Sequence, residues 1–318
     1  MKYIEAYKEG ERFSGIYLCK SKQTLTTKAG KSYYSLILQD KTGGMDAKVW
    51  DIHGGIDDFD MMDFVMVDGQ VTSFQGNLQV NIGRLRKAQE GEYDAKEYIP
   101  SSRKDIEQMY KDLSALIATI KEPHLRKLTE SFFVEDKDFI KEFKVHSAAK
   151  SVHHGFIGGL LEHTLSVTRL CDYFAANYPV INRDLLITAA IFHDIGKVVE
   201  LSGFPVNDYT DDGQLLGHIF LGAELVGRRA EEIEGFPPVL LSELRHCILA
   251  HHGELEYGSP KKPALVEAMA LNFADNADAK LQTMTELFDN GKETTEWLGF
   301  NRLLDSNVRK SSLSVKKN

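Results

Sequence analysis

Residues 189–201, AAIFHDIGKVVEL, place two ionisable residues side by side in an apolar stretch. His193 and Asp194 are adjacent, and Lys197 follows three residues after Asp194. His163, in LLEHTL, and Asp275, in LNFAD, have similarly apolar surroundings. Burying several ionisable groups without partners would cost several kcal/mol each. A shared metal ion removes this cost, because imidazole nitrogens and carboxylate oxygens are natural metal ligands.

Histidine is concentrated in the middle of the chain, where nine of the 11 histidines lie within residues 146–252. His218 lies in the sequence GHI, and His251 and His252 lie in AHHG. No cysteine is placed to complete a structural zinc site. Mixed histidine and aspartate ligation instead fits Mn, Fe, Zn, Co or Mg, often with open positions for water.

The order His, His-Asp, Asp along the chain resembles the motif of the HD-domain superfamily of metal-dependent phosphohydrolases. The additional histidines resemble those of members that hold two ions. The resemblance implies a first ion held by His163, His193, Asp194 and Asp275. It implies a second ion, bridged by Asp194, on His218 with His251, His252 or both. Two divalent ions are therefore expected, Mn above all, with Fe, Co, Zn or Mg as alternatives.

Further polar residues near this motif are candidates for contacting the substrate or the metal ligands. Lys197 lies one turn after Asp194, so we expect it to contact the same phosphate, the alternative being a solvated lysine at a helix end. We expect His154, with its neighbour His153, to face the substrate from the mouth of the site, or else to lie on an exposed helix start. Asp194, Lys197 and His154 are thus the catalytic candidates. Asp278, one turn after Asp275, either hydrogen-bonds a ligand or is a surface carboxylate.

The first 90 residues have the alternating pattern of short β-strands. Five such strands with little helix between them predict a small barrel, with a two-sheet sandwich as the competing arrangement. Three runs resemble the OB-fold family of nucleic-acid-binding domains: KSYYSLILQDKTG (31–43), AKVW (47–50) and VDGQVTSFQGNLQV (67–80). The resemblance implies a strand face on which bases stack on aromatic rings while cations follow the phosphates.

Aromatic and basic residues of this part are the candidates for contacting nucleic acid. They are Lys20, Lys31, Tyr34, Lys48 and Phe74. Strand alternation lets only one of Tyr33 and Tyr34 face outwards. We expect Trp50 in the barrel core.

Composition changes divide the chain into four segments. Residues 88–104 are polar and contain Gly, Pro and Ser, which is typical of a linker. From Asp105 onward the apolar residues recur with a helical period. The predicted fold class is a multidomain protein, an all-β OB-like barrel followed by an all-α HD bundle. The expected segments are the OB-fold domain at 1–90, the linker at 91–104, the HD domain at 105–290 and a C-terminal extension at 291–318 that ends in a frayed basic tail.

The overall composition, 42% hydrophobic and 27% charged among 318 residues, is that of a globular protein. Residues 1–90 carry 12 basic and 12 acidic residues, so the net charge of −9 belongs to the rest of the chain. A neutral barrel can still concentrate cations on one face. The longest apolar run, 185–192, is far shorter than the about 20 residues of a spanning helix, so we expect no membrane association. Three scattered cysteines and a charged N-terminus without a signal peptide favour the cytoplasm.

The two domains together resemble the YhaM family of 3′-5′ exoribonucleases. Three runs carry the resemblance: SAAKSVHHGFIGGLLEHTLSV (147–167), AAIFHDIGKVVEL (189–201) and HCILAHHGELEYGSPKKP (246–263). The resemblance implies hydrolysis of single-stranded RNA or DNA from the 3′ end, with release of nucleoside 5′-monophosphates and a need for a divalent metal.

Other functions stay open at this point. A related HD subgroup cleaves cyclic dinucleotides and carries Gly-Tyr-Pro after its His-Asp pair, where this chain has Gly-Phe-Pro at 203–205. A cyclic-dinucleotide or small-nucleotide phosphodiesterase is therefore the first alternative. A non-catalytic RNA-binding protein with a structural metal site is the second. The sequence leaves open the metal, the choice of RNA or DNA, and the oligomeric state, a homo-oligomer included.

Overall fold

The first five strands close into a barrel in the computed structural model, which describes residues 2–52, 54–74, 77–150, 154–290 and 297–312. The strands are β1 (Arg12–Thr26), β2 (Ser32–Asp40), β3 (Gly43–Val49), β4 (Phe64–Phe74) and β5 (Asn77–Lys87). Their order is β1-β2-β3-β5-β4, and the β3–β5 pair is parallel while the other pairs are antiparallel. The expected five-stranded barrel is confirmed, and the sandwich alternative is not adopted.

Strand alternation builds the core of the barrel. Leu36 and Leu38 are buried, while Ile37 between them faces outwards. Strand β1 is long enough to pair with β4 through its first half and with β2 through its second. A bulge at Gly69 brings β4 close to β5, and a Cβ atom there would lie 2.7 Å from the side chain of Val80. Glycine is therefore required for this approach.

The segment expected to be a linker packs largely on the barrel. The ring of Tyr93 stacks on Phe64 with centroids 3.9 Å apart, and Tyr98 is buried. The side-chain amide of Gln39 donates to the main-chain oxygen of Tyr98 at 3.1 Å. The first compact unit consequently extends to Ser101 and also includes residues 204–206. Burial of aromatic rings within a polar stretch explains the difference from the expected boundary at residue 91.

The second compact unit, residues 102–203 with 207–318, is mainly helical. Its helices are α1 (Ile106–Ile117), α2 (Pro123–Glu130), α3 (Lys137–Val145), α4 (Gly159–Asn177), α5 (Arg183–Phe192), α6 (Lys197–Glu200), α7 (Asp211–Glu231), α8 (Pro238–Ala250) and α9 (Val266–Asn290). The carboxylate of Asp105 caps α1 by accepting from the main-chain N–H of Gln108. Residues 185–192 of α5 are all buried, so this helix lies in the centre of the unit.

A short hairpin follows the helices. Strands β6 (Trp297–Asn301) and β7 (Ser306–Arg309) pair antiparallel, and Val308 is buried. The frayed tail was expected over residues 307–318, but residues 307–309 lie in β7, and residues 313–318 lie outside the described part. Among the described residues, no helix combines the length and apolar character needed to cross a bilayer.

Candidate metal centre and nucleic-acid interface

The helical unit gathers the histidines and aspartates of the sequence motif into one cluster. Its members come from α4, the end of α5, α7, the end of α8 and α9: His163, His193, Asp194, His218, His251, His252 and Asp275. His193, Asp194 and His251 are buried. Because α5 is the central helix, the His193-Asp194 pair at its end lies where the other helices converge.

One side of the cluster surrounds His163. Its Nε2 atom lies 3.1 Å from Nε2 of His193, 3.2 Å from Oδ1 of Asp275 and 3.4 Å from Oδ2 of Asp194. Two imidazole nitrogens and two carboxylate oxygens within such distances form a donor set that suits a divalent cation.

The other side surrounds the second oxygen of Asp194. Oδ1 of Asp194 lies 3.4 Å from Nε2 of His218 and 3.7 Å from Nε2 of His251. His252 is close by, since the ligand nitrogens of the three histidines all lie within 4.8 Å of one another. The sequence left open which of His251 and His252 belongs to this group, and the fold brings both to it.

Buried polar atoms without hydrogen-bond partners show whether a metal ion fits the side of the cluster around Oδ1 of Asp194. Oδ1 of Asp194, Nε2 of His218 and Nε2 of His251 are buried and have no hydrogen-bond partner among the described residues. Each such atom costs about 1–3 kcal/mol of stability. A shared cation would satisfy all three, so this donor set fits a metal ion.

The orientation of the histidine rings is set by their other nitrogens. Nδ1 of His193 and Nδ1 of His251 each lie 2.7 Å from the main-chain oxygen three residues earlier. Nδ1 of His252 lies 2.7 Å from the main-chain oxygen of Tyr257. A carbonyl oxygen only accepts, so each Nδ1 carries the proton and each Nε2 keeps a free lone pair. Three rings are thereby prepared to ligate through Nε2.

Glu200 orients the ring of His218 through its Nδ1 atom, and Glu200 was not among the residues predicted from the sequence. One oxygen of its carboxylate lies 3.0 Å from Nδ1 of His218 and accepts from the main-chain N–H of that residue at 2.9 Å. Burial opposes ionisation of Glu200, but the hydrogen bonds from His218 lower the pKa of its carboxyl group. The signal was a lone carboxylate in the apolar run VVEL, three residues after Lys197.

Asp278 holds His163 in place, which settles the choice between a supporting residue and a surface carboxylate. Its Oδ2 lies 2.7 Å from Nδ1 of His163, and its Oδ1 accepts from the hydroxyl of Ser166. Burial acts against the charged form, but hydrogen bonds from His154 and His163 lower the pKa of Asp278. Asp278 therefore stays ionised behind the ring.

His154 lies elsewhere than the sequence analysis predicted. It is only 1% exposed, and its Nε2 lies 3.1 Å from Oδ2 of Asp278. It therefore contacts a carboxylate behind His163 and does not face outwards from the mouth of the site. Close packing explains this position, because a Cβ atom on Gly159 would lie 1.9 Å from the main-chain oxygen of His154. His153 lies outside the described residues.

Lys197 and Asp194 stabilise each other's charge. Nζ of Lys197 lies 2.8 Å from Oδ2 of Asp194. Burial opposes both charges, yet the carboxylate raises the pKa of Lys197, and the ammonium group lowers the pKa of Asp194. Lys197 is therefore a partly buried, paired cation within the site, unlike the solvated lysine of the alternative interpretation.

The histidines differ in the charge that they carry without metal. Burial lowers the pKa of His193, and burial with the neighbouring His252 lowers the pKa of His251 further, so both rings are neutral. Burial also opposes protonation of His163, but hydrogen bonds to Asp275 and Asp278 raise its pKa to about 10. A metal ion on Nε2 of His163 must therefore displace a proton.

A glycine allows α7 to approach Asp194. A Cβ atom on Gly196 would lie 2.1 Å from the main-chain oxygen of His218 and 2.5 Å from the main-chain nitrogen of Gly222. Only glycine permits this contact without displacing the helix. The glycine of HDIG thus brings the His218 ring within reach of Asp194.

A cleft of about 460 Å³ opens beside the cluster. His163, Asp194, Lys197, His252 and Asp275 line one part of it. The proposed ligands and the ammonium group of Lys197 are therefore accessible to a small molecule or to the end of a chain.

The barrel carries a stacked aromatic pair on the outer face of its strands. Tyr33 and Trp50 stack with ring centroids 4.7 Å apart, and we call this pair the Tyr33–Trp50 platform. Trp50 is 44% exposed, so its expected place in the core is wrong. Its indole N–H donates to the side chain of Asn81 at 3.0 Å, which holds the ring at the surface. Tyr34 instead packs towards the core, edge-to-face against Phe59.

The remaining nucleic-acid candidates differ in their surroundings. Lys20 and Lys31 are exposed, and Phe74 is 61% exposed at the end of β4. Lys48 donates to the hydroxyl of Ser35 at 2.6 Å. Lys48 is on the same outer face as Tyr33, because Lys48 pairs with Ser35 and alternate residues of β2 share a face.

Comparison with known proteins identifies the helical part. Residues 160–280 match the HD domain family. HD domains form a superfamily of metal-dependent phosphohydrolases, and the matched range contains every member of the histidine and aspartate cluster. The chain is thus a barrel followed by a helical HD domain.

Two solved structures resemble the barrel. One is the second OB-fold domain of replication protein A from Methanococcus maripaludis, at 16% identity and a TM-score of 0.24, covering 29% of this chain and 98% of that one. The other is an OB domain from Thermoplasma acidophilum, at 18% identity and a TM-score of 0.24, covering 29% of this chain and 91% of that one. Closure and strand order make the barrel OB-like.

Proposed function

We propose that this protein is a metal-dependent 3′-5′ exonuclease that hydrolyses single-stranded RNA and releases nucleoside 5′-monophosphates. The observation that carries the hydrolytic part is Asp194, whose two oxygens face two sets of histidines beside an open cleft. The direction of attack and the product come from the resemblance to the YhaM family. Single-stranded DNA is the related substrate.

The proposed ligand sets share Asp194. The first set is His163, His193, Asp194 and Asp275. The second set is Asp194, His218, His251 and His252. Two divalent ions, Mn in the first place and Fe, Co, Zn or Mg as alternatives, would supply a water of lowered pKa and neutralise charge on the phosphodiester.

The chain's own residues support this chemistry in separate ways. Lys197 keeps its positive charge beside Asp194 and lines the cleft, so it is available to a phosphate oxygen. Asp278 and Glu200 hold His163 and His218 in orientation. His154 acts as a positioning residue through Asp278, and not on the substrate.

The barrel would hold the strand that the HD domain shortens. Bases stack readily on exposed aromatic rings, and lysines such as Lys31 and Lys48 balance phosphate charge. The Tyr33–Trp50 platform supplies such rings. The cysteines are all buried and unpaired, which supports a reducing compartment such as the cytoplasm.

The test is a time course on single-stranded RNA labelled at its 5′ end, with the protein supplied with Mn²⁺. We expect a ladder that shortens from the 3′ end, with nucleoside 5′-monophosphates as products. Asp194→Asn should leave the RNA intact. Asp212→Asn, at an exposed carboxylate at the start of α7, is the matched control and should retain the ladder.

Three outcomes would overturn this proposal, wholly or in its direction of attack. Intact RNA together with cleavage of a cyclic dinucleotide would indicate a small-nucleotide phosphodiesterase, which the modest volume of the cleft also accommodates. Tight RNA and metal binding without cleavage of either substrate would indicate an RNA-binding protein with a structural metal. Immediate release of the 5′ label as a mononucleotide would reverse the direction of attack.

A further inference from the structure

Helix α9 carries a second row of polar residues that line the same cleft as the proposed ligands. Asn272, Asn276 and Lys280 are spaced by four residues and therefore share a face of the helix. The amide of Asn272 donates to the main-chain oxygen of His251 at 2.8 Å. The side chains of Asn276 and Lys280 form no hydrogen bond or ion pair with any described residue. One free amide and one free cation thus lie beside the metal centre.

The tip of the C-terminal hairpin provides an apolar part of the lining. Leu303 and Leu304 both line the cleft, and Leu303 is 58% exposed. Tight turns normally carry small or polar residues, so two leucines at this position are unusual. The main-chain N–H of Leu304 donates to the side chain of Asn301 at 3.1 Å, which gives the tip a defined shape.

The hairpin is attached to the helix that carries the polar row. Val308 of β7 is buried, and the ammonium group of Lys310 lies 5.7 Å from the ring of Phe288 on α9. The leucines and the polar row of α9 therefore belong to the same compact unit, in which the chain just after the hairpin contacts α9.

The composition of this cleft matches the parts of a nucleotide. A phosphate needs a cation, sugar hydroxyls need an amide that donates and accepts, and a base needs an apolar surface. The volume of about 460 Å³ is near the lower end of the roughly 300–1,000 Å³ of ligand pockets. This size suits one nucleotide better than several.

We propose that this cleft binds the terminal nucleotide of the substrate strand, an assignment that rests on the proposed function. Lys280 contacts the phosphate, Asn276 hydrogen-bonds the sugar, and Leu303 with Leu304 packs against the base. Apolar contact does not read the hydrogen-bonding pattern of a base, so all four nucleotides are accepted. A pocket for one nucleotide next to the metal centre also accounts for release of single mononucleotides.

The test measures binding by calorimetry to the full chain supplied with Mn²⁺. The probes are a nucleoside 5′-monophosphate and inorganic phosphate. Lys280→Ala should weaken binding of both probes about tenfold or more, since it removes a charge-assisted contact. The double substitution Leu303→Ala with Leu304→Ala should weaken the nucleotide several-fold and leave phosphate unchanged, because only the nucleotide has a base.

Two exposed residues outside the cleft lining provide matched controls. Lys141→Ala on α3 and Leu215→Ala on α7 should bind both probes as the unmodified protein does. The same variants are then compared on linear RNA, where the cleft variants should raise KM and the controls should not.

The outcomes separate the pocket from the proposed activity. RNA degradation with nucleotide affinity unchanged in both cleft variants would overturn the pocket and leave the exonuclease standing. Nucleotide binding that depends on Lys280 and the two leucines, without RNA degradation, would support the pocket and overturn the exonuclease. Phosphate affinity lowered equally by the leucine substitutions would contradict the assignment of the base.

Discussion

Oδ1 of Asp194 lies 3.4 Å from Nε2 of His218, and both atoms are buried without a hydrogen-bond partner among the described residues. The other oxygen, Oδ2, lies 2.8 Å from Nζ of Lys197 and 3.4 Å from Nε2 of His163. One carboxylate thus connects the two halves of the cluster. The half around Oδ1 contains the buried atoms without hydrogen-bond partners, so a bound cation would stabilise this half most.

Replacing Asp194 by Asn should abolish metal binding at the shared position. The amide keeps the size of the carboxylate but loses its charge and one of its acceptor oxygens. We expect activity to fall more than about 100-fold, since changes behind metal ligands already cost about 10–100-fold. Metal content after dialysis, measured by mass spectrometry, tests this. Full metal content in Asp194→Asn would contradict the bridging role, and Asp212→Asn is the control.

Glu200 should affect one metal site more than the other. Glu200→Ala removes the acceptor that orients His218, so affinity at the second site should fall about 10–100-fold. The first site, around His163, should keep its affinity. Titration with Mn²⁺ followed by electron paramagnetic resonance resolves the two events. Equal losses at both sites would argue against a positioning role, and Glu234→Ala, at an exposed position, should change neither.

Metal affinity should increase with pH because of His163. Without metal, hydrogen bonds to Asp275 and Asp278 raise its pKa to about 10 against the opposing effect of burial. At pH values below about 10 the ring is protonated in the folded metal-free protein, and an ion must displace that proton. The apparent dissociation constant for Mn²⁺ should therefore fall by up to about tenfold per pH unit in this range.

Calorimetry in buffers of different ionisation enthalpy measures the released proton directly. A pH-independent affinity with no proton release would rule out this protonation state. The folding stability of the metal-free protein depends on pH in the opposite direction to the metal affinity. Since the folded pKa is raised, the stabilisation of the metal-free protein by protonated His163 is complete below about pH 6.5 and is lost as the pH rises through about 10.

The Tyr33–Trp50 platform should matter for long substrates only. Trp50→Ala removes a stacking surface worth about 1–3 kcal/mol per base, so binding of single-stranded RNA should weaken about 5- to 150-fold. Cleavage of a dinucleotide should stay unchanged. Fluorescence anisotropy and the two cleavage rates test this. Tyr178→Ala, an exposed aromatic of the helical unit, is the control, and equal losses on both substrates would contradict the division of labour.

The chemistry of the cluster could be predicted from the sequence, whereas several neighbours could not. Ionisable residues in apolar runs have few explanations other than a shared ligand, so His163, His193, Asp194 and Asp275 stood out. The role of Glu200 in orienting His218 and the contact of His154 with Asp278 depend on which side chains meet after folding. His154 and Asp278 are 124 residues apart, and no local pattern indicates that they touch.

Orientation in the barrel also depended on tertiary contacts. Strand alternation predicted that only one of Tyr33 and Tyr34 faces outwards. It did not decide which one, because the strand can place either residue on the outer face. The fold turned Tyr34 towards Phe59 and left Tyr33 to stack on Trp50.

The sequence by itself determined that a β barrel precedes a helical unit and that a histidine and aspartate cluster lies in the latter. Hydrophobic period and residue type are local properties, and both are present in the chain before it folds. The tertiary structure alone decided that Asp278 holds His163, that Glu200 orients His218 and that Leu303 and Leu304 line the cleft. These relations join residues far apart in the chain, and packing of whole helices and the hairpin brings them together.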